Sequence, residues 1–185
     1  MSKEKFVFTH RVATEADIPT IKDLMAASIT FNMRDFLSEE EIISARESMG
    51  LDNSLIKDGT YFIIETEKDG ETVAVACGGW GKRKTLFGGD QTVGRDDSLS
   101  DPATDPARIR AMYTHPEWTR KGIGSLLLDL GEGAARDAGF KTIELGSTVP
   151  GYPLYQARGY VEFHREERVG GNGQINTIIH MRKTL

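Results

Sequence analysis

The clearest signal in the chain is a change of period between residues 108 and 130. Arg108 to Thr114 alternates, with Ile109, Ala111 and Tyr113 set against Arg108, Arg110 and Thr114, as in a half-buried strand. His115-Pro116 ends that strand, because proline donates nothing to a ladder and restricts the residue before it. From Gly122 the period lengthens: Ile123, Leu126, Leu127 and Leu130 fall at i, i+3, i+4 and i+7, one face of a helix. Upstream, Phe6 to Arg11 predicts a first strand, and Thr14 is an N-cap for a helix whose apolar face runs through Ile18, Ile21, Leu24 and Met25 to about Thr30. Phe31 to Leu37 reads as a loop, and the Ser38/Glu41 capping-box pattern opens a second helix that should reach Met49. Thr60–Thr66 and Glu71–Trp80 form a hairpin around Lys68-Asp69-Gly70.

The glycine run Gly78-Gly79-Trp80-Gly81 predicts a close backbone approach or a bulge, with Trp80 either stacking on a substrate or packing in the core. Downstream, Gly139 is a C-cap, Lys141–Leu145 a short strand, and Val161–Arg168 and Gln174–Arg182 a last strand pair joined at Gly170–Gly173. Residues 81–106 show no period and read as an irregular loop, either a functional lid or a mobile segment.

Length and composition narrow the class. At 185 residues, one domain spanning 1–185 is expected, with a substantial core. The net charge of −5 gives no general attraction to nucleic acid or anionic membrane, and by steering it favours a cationic acceptor. Cys77 is the only cysteine, which excludes an intrachain disulfide and points to a reducing cytoplasm. In its apolar run Cys77 reads as a buried hydrophobe rather than a nucleophile. MSKEKFVFTH is too polar for a signal peptide, and no stretch approaches membrane-spanning length. The four histidines lack metal-ligand spacing, so no metal is expected.

Strand, basic glycine turn and helix together predict an anion site. First-turn amides of a helix have no internal partner and carry the positive end of its dipole, and Arg120 and Lys121 add charge. A P-loop is absent, and a dinucleotide fingerprint lacks its third glycine at Leu127. Thr119-Arg120-Lys121-Gly122-Ile123-Gly124 resembles the acetyl-CoA turn of the GNAT superfamily of N-acetyltransferases, with Thr where arginine or glutamine is usual. Leu154-Tyr155, Gly159 and Tyr160 are similar to that superfamily's second signature, with Thr148, beside Ser147, where many relatives carry asparagine.

This resemblance implies an α/β fold with a mixed, mostly antiparallel sheet of six to seven strands flanked by about four helices. It implies acetyl-CoA as cofactor, with CoA as product, and a small-molecule or peptide amine as acceptor. Pantetheine is expected along the strand at Met112, Tyr113 and Thr114, and pyrophosphate on Arg120 to Ser125, including Lys121, Gly122, Ile123 and Gly124 with Thr119. Ser147, Thr148, Tyr152 and Tyr155 would complete the cofactor site, and Tyr155 is the candidate general acid for the departing thiolate. Phe31 and Trp80 are candidate acceptor contacts; Lys82-Arg83-Lys84 is a candidate for the CoA 3′-phosphate, with a solvated charge run the alternative, and the 81–106 loop an acceptor-side lid. Some histone-acetylating relatives carry a glutamate base where this chain has Arg108; His115 is left as a candidate, and a water chain serves equally. Dimerisation is common in the superfamily. The alternative reading is a non-catalytic acyl-CoA-binding or regulatory domain.

Overall fold

The computed structural model describes residues 6–185; the first five, part of the stretch read as lacking a leader, lie outside the described residues. The strands are β1 (Thr9–Val12), β2 (Tyr61–Lys68), β3 (Glu71–Gly81), β4 (Ala107–Thr114), β5 (Thr142–Ser147), β6 (Val161–Val169) and β7 (Ile175–Thr184). The helices are α1 (Ile18–Asn32), α2 (Glu39–Ala45), α3 (Asn53–Lys57), α4 (Ile123–Asp137) and α5 (Tyr152–Ala157). All seven strands form one sheet in the order β1-β2-β3-β4-β5-β7-β6. Every pairing is antiparallel except β4 with β5, so the sheet is mixed as expected.

Local chemistry accounts for most of these elements. The β2–β3 hairpin turns on Asp69 and Gly70, both at positive φ (54° and 82°), as an Asp-Gly type I′ turn requires. Ser38 accepts from the Glu41 N–H and Glu41 accepts from the Ser38 N–H, a closed capping box. α2 nevertheless stops at Ala45 rather than Met49, because the chain unwinds in tight turns that carry Ser48 to Gly50 under the sheet. β1 begins only at Thr9; Phe6 and Phe8 pack edge-on against Trp118 instead of pairing. α3 has no counterpart in the periodicity, since its five residues are too few to show one.

The sheet separates two apolar layers. On one side Ile21, Leu24, Met25 and Ile29 of α1 meet Ile63 and Cys77. On the other, Leu128 and Ala135 of α4 meet Ile109, Ile143, Leu145 and Met181. Trp80 belongs to this second layer, 7% exposed, with its ring 6.0 Å from that of Phe140. The expectation that Trp80 contacts substrate is therefore corrected: its neighbour Gly81 faces Arg108 and Arg110, so alternation turns Trp80 towards α4. Gly79 supplies the predicted close approach, since a Cβ there would lie 2.1 Å from the Thr60 carbonyl oxygen.

Candidate active site

β4 carries a bulge at its middle. Gly79 pairs with Arg110 and Cys77 with Tyr113, so Gly78 alone opposes both Ala111 and Met112. Ala111 takes φ 51°, a conformation unusual for a residue with a Cβ, and the Tyr61 hydroxyl donates to its carbonyl at 2.7 Å. Met112 crowds Gly78, whose missing side chain gives the bulge room.

Beyond its first turn of pairing, β4 also leaves β5. The two strands are in register only at Ala107↔Ile143 and Arg108↔Glu144, and then part, while β5 stays paired with β7 through Ser147. A cavity of about 110 Å³ opens in the fork, bounded by β4 from Ile109 to Tyr113 and β5 from Leu145 to Ser147. The His115 N–H donates to Val75 of β3, so by alternation the backbone groups of Thr114 and Met112 turn away from β3. Tyr113 keeps its backbone on β3 and contributes a buried ring whose hydroxyl accepts from the Gly50 N–H at 3.2 Å. The Thr114 carbonyl is already engaged, accepting from Asn32 Nδ2 of α1 at 2.8 Å, which leaves its N–H as the free group. The sequence puts Asn32 in the Phe31–Leu37 loop and gives no signal of this bond; α1 runs two residues further than its periodicity predicts and brings it there.

The glycine turn follows. Arg120 (φ 62°) and Gly122 (φ 84°) are both left-handed, and Gly122 is the N-cap of α4 with nothing near its absent side chain. The amides of Ile123, Gly124 and Ser125 occupy the first turn, where helix geometry leaves N–H groups without an internal acceptor. Gly124 serves the packing instead: a Cβ there would sit 2.7 Å from Leu154, so its absence lets α4 and α5 approach. Arg120 and Lys121 are exposed, and the Lys121 ammonium lies 5.2 Å from the Phe6 ring centre. The Thr119 hydroxyl donates to the Pro116 carbonyl at 3.1 Å and closes the preceding turn rather than facing the amides. His115 is engaged too: its Nδ1 accepts from the Glu117 N–H at 3.3 Å.

α5 lies across the fork. The Tyr155 hydroxyl reaches Met112 Sδ at 3.9 Å, a weak partner, and burial pushes its phenol up to about 12. Ser147 is buried and donates to the Thr148 carbonyl, while the Thr148 hydroxyl accepts from the Gly151 N–H at 3.3 Å. Ser147, Thr148 and Tyr155 all line the cavity. Tyr152 does not; it packs in the α4-side layer, and its phenol helps, after Arg165, to hold the exposed Glu162 carboxyl below the usual range.

On the opposite face of β4 the cavity is walled by segments far apart in sequence: Ser48–Gly50, Leu86–Gly88, and Asn176 with Ile178 of β7. Phe31 is not among them. The buried stripe of α1 turns it outward, 53% exposed beneath the Arg34 guanidinium. Residues 82–106 form a strapped wall: Lys84 and Ser98, and Lys82 and Ser100, are joined by backbone bonds, and Gln91 donates to the Met49 carbonyl at 2.7 Å. Arg83 makes a two-bond pair with Asp58 (2.7 Å each), so the centre of the basic triplet ties the loop to the end of α3. Among the described residues no group of His, Cys, Asp and Glu could hold a metal ion, and no helix is long and apolar enough to cross a membrane.

Known structures share this fold. The GCN5-related N-acetyltransferase from Rhodopseudomonas palustris superimposes with a TM-score of 0.67 at 20% identity, covering 100% of both chains. The PaiA N-acetyltransferase from Thermoplasma acidophilum, solved with coenzyme A, gives 0.63 at 15% identity over 97% of this chain and 99% of its own. YncA from Salmonella typhimurium, solved with its cofactor acetyl-CoA, gives 0.60 at 18% identity over 96% and 94%. At these identities the likeness shows the fold. A comparison with curated proteins finds no match. The model of the Acetyltransferase (GNAT) family matches residues 27–160, from α1 through the forked strands to the end of α5, and with that the chain belongs to the GNAT acetyltransferase family.

Proposed function

We propose that this chain is an acetyl-CoA-dependent N-acetyltransferase, acting as one domain and transferring the acetyl group to a primary amine by direct attack in a ternary complex. The observation that carries the reading is the fork between β4 and β5, whose cavity the Tyr155 side chain lines, with the basic turn at Gly122 following β4 in the chain. The residues fit the group. The free first-turn amides and the open space at Gly122 suit a pyrophosphate. The unpaired backbone edge at Met112 and Thr114 suits an amide chain adding as a further strand.

Acetyl-CoA would supply an activated thioester: the acceptor nitrogen would form the new C–N bond as the C–S bond breaks, the electron pair would leave on sulfur, and the proton shed by nitrogen would pass to water. The backbone N–H of Met112 is the donor we assign to the developing oxyanion, because the bulge re-aims it into the fork. Tyr155, held protonated by burial, is the proton source for the leaving sulfur; its partner is a thioether, so its proton is not already committed to a strong acceptor. Amine and thioester held side by side in the fork account for a large part of the acceleration. A cytoplasmic setting fits the lone Cys77, buried and with its thiol pushed up to about 12 by burial.

The test is a thermal-shift titration with acetyl-CoA, CoA and ATP at equal concentration, followed by CoA release with an amine panel. Acetyl-CoA or CoA near a hundred times Kd should stabilise by about 2.7 kcal/mol, a shift of several degrees at this size. Stabilisation by both CoA species but not ATP, with turnover, is the expected result. Stabilisation without turnover of any acceptor returns the acyl-CoA-binding reading, and no stabilisation ends both.

A further inference from the structure

We propose that the acceptor is a small amine bearing a carboxylate, of the amino-acid class, and that Arg110 is the residue that recognises it. This rests on the acetyltransferase reading and names the substrate class of that site.

Among the described residues Arg110 is the one charged side chain that lines the cavity; around it stand Met49, Leu86, Phe87 and Ile178, with Ser48 and Asn176 as neutral polar groups. It is 4% exposed and projects from β4 beside the bulge. Its bonds within the protein can be counted. Nη1 donates to the Thr85 carbonyl (3.3 Å), and Nη2 donates to Asp52 Oδ2 (2.8 Å) and to the Gly88 carbonyl (2.7 Å). A guanidinium has five N–H donors, so among the described residues Nε–H and one Nη1–H are left without a protein acceptor. A purely structural strap for the 82–106 loop would need only the three bonds that are made.

The charge balance points the same way. Asp52 is wholly buried and serves two guanidiniums at once, Arg110 at 2.8 Å and Arg95 at 3.0 Å. Arg95 also meets Asp97 at 2.9 Å and Asp90 at 3.8 Å, both at the surface. Two residues earlier on the same face of β4, Arg108 shares Glu144 with Arg182, again two cations on one buried acid. Among the described residues the one charge presented on the cavity wall itself is that of Arg110, since Asp52, Arg95, Asp97, Arg108, Glu144 and Arg182 do not line it. Among the described residues no Asp or Glu lines the cavity to receive an ammonium-bearing tail. The net charge alone favours a cationic acceptor by steering; at contact range the charge on the wall itself, that of Arg110, decides. A carboxylate oxygen facing Arg110 can take one of the free donors, and the apolar lining takes a short hydrocarbon side chain.

CoA release from the wild-type protein is measured with glycine, alanine and methionine, each beside its amide and the corresponding amine without the carboxyl group. Acids should exceed amides in kcat/KM by roughly a hundredfold, since removing the carboxylate leaves buried donors unpaired. Arg110→Lys, which keeps the charge but loses the planar fork, should raise KM for the acid about tenfold or more while the acetyl-CoA thermal shift is retained. Amides or decarboxylated amines turned over as well as the acids overturn the proposal, as does turnover of no acid by a protein that acetyl-CoA still stabilises. Loss of the acetyl-CoA shift in the wild type brings down the acetyltransferase reading itself. The wild-type panel decides the matter even if the Arg110 variant does not fold.

Discussion

The two flanks of β4 are built on different plans. The flank proposed for the cofactor phosphates is a single run, Thr119 to Ser125, and offers backbone amides at the start of α4. The acceptor flank is gathered from Ser48–Gly50, Leu86–Gly88, Arg110 and Asn176–Ile178, and works through side chains. Backbone recognition needs only a local conformation, so one short motif can carry it and hold it fixed. Side-chain recognition needs convergence, which a long insertion and two distant strands can supply and readily vary. A shared chemistry and an individual specificity can thus sit a few ångströms apart without constraining each other.

That contrast can be pressed at three points. The largest effect belongs to Tyr155→Phe, which removes the proposed proton donor and leaves the packing with Tyr160 in place; kcat should fall roughly ten- to a thousandfold with acceptor KM little changed. In the wild type the phenol stays protonated well past neutrality, since burial pushes it up to about 12, so the rate should show no falling limb assignable to this group below about pH 11. An unaltered kcat in the phenylalanine variant would reassign the proton donor.

Asp52→Asn acts on the other flank and strikes stability. Burial opposes ionisation of Asp52, but the Ser54 hydroxyl, then Arg110 and Arg95, hold its carboxyl below the usual range. Depressed in the fold, it contributes fully above its unfolded value near pH ~3.9, and that contribution is lost as the pH falls through the folded value. The asparagine variant, leaving the buried Arg110 guanidinium without its acid while Arg95 keeps Asp97, should lose about 3–5 kcal/mol at pH 7 and unfold in acid with a shallower pH slope. Urea melts between pH 2 and 7 measure both. The smallest effect is expected for Thr119→Ala: loss of the hydroxyl bond to Pro116 should cost about 1 kcal/mol and change the acetyl-CoA Kd less than threefold. A larger loss of affinity would return Thr119 to the phosphate contacts.

Sequence periodicity reaches the sheet, α1, α4 and the closing hairpin because each buries a stripe or alternates cleanly. The glycine turn is legible for the same reason that it is compact. Trp80 and Phe31 mislead, since size alone does not tell which face of a strand or helix a side chain takes. Trp80 follows the parity set by Gly79 and Gly81, and Phe31 the phase of α1. Arg110 gives no signal at all: in the sequence it is one polar position of an amphipathic strand, and its partners lie 22 to 58 residues away. The 82–106 segment, without a period of its own, is ordered by side-chain bonds to α3 and the turn after α2.

The roof of the acceptor cleft closes late in the chain. Asn176 donates to Ser48 across 128 residues, Gly171 to Glu47 across 124, and Asn172 to the Glu40 carbonyl across 132. The turn at Gly122 needs only its immediate neighbours. Closing a long loop costs more entropy than closing a short one, so the turn at Gly122 is expected to form before the roof of the cleft. Native-state hydrogen exchange at the Gly171 amide, set against the interior amides of α4, would compare their opening directly.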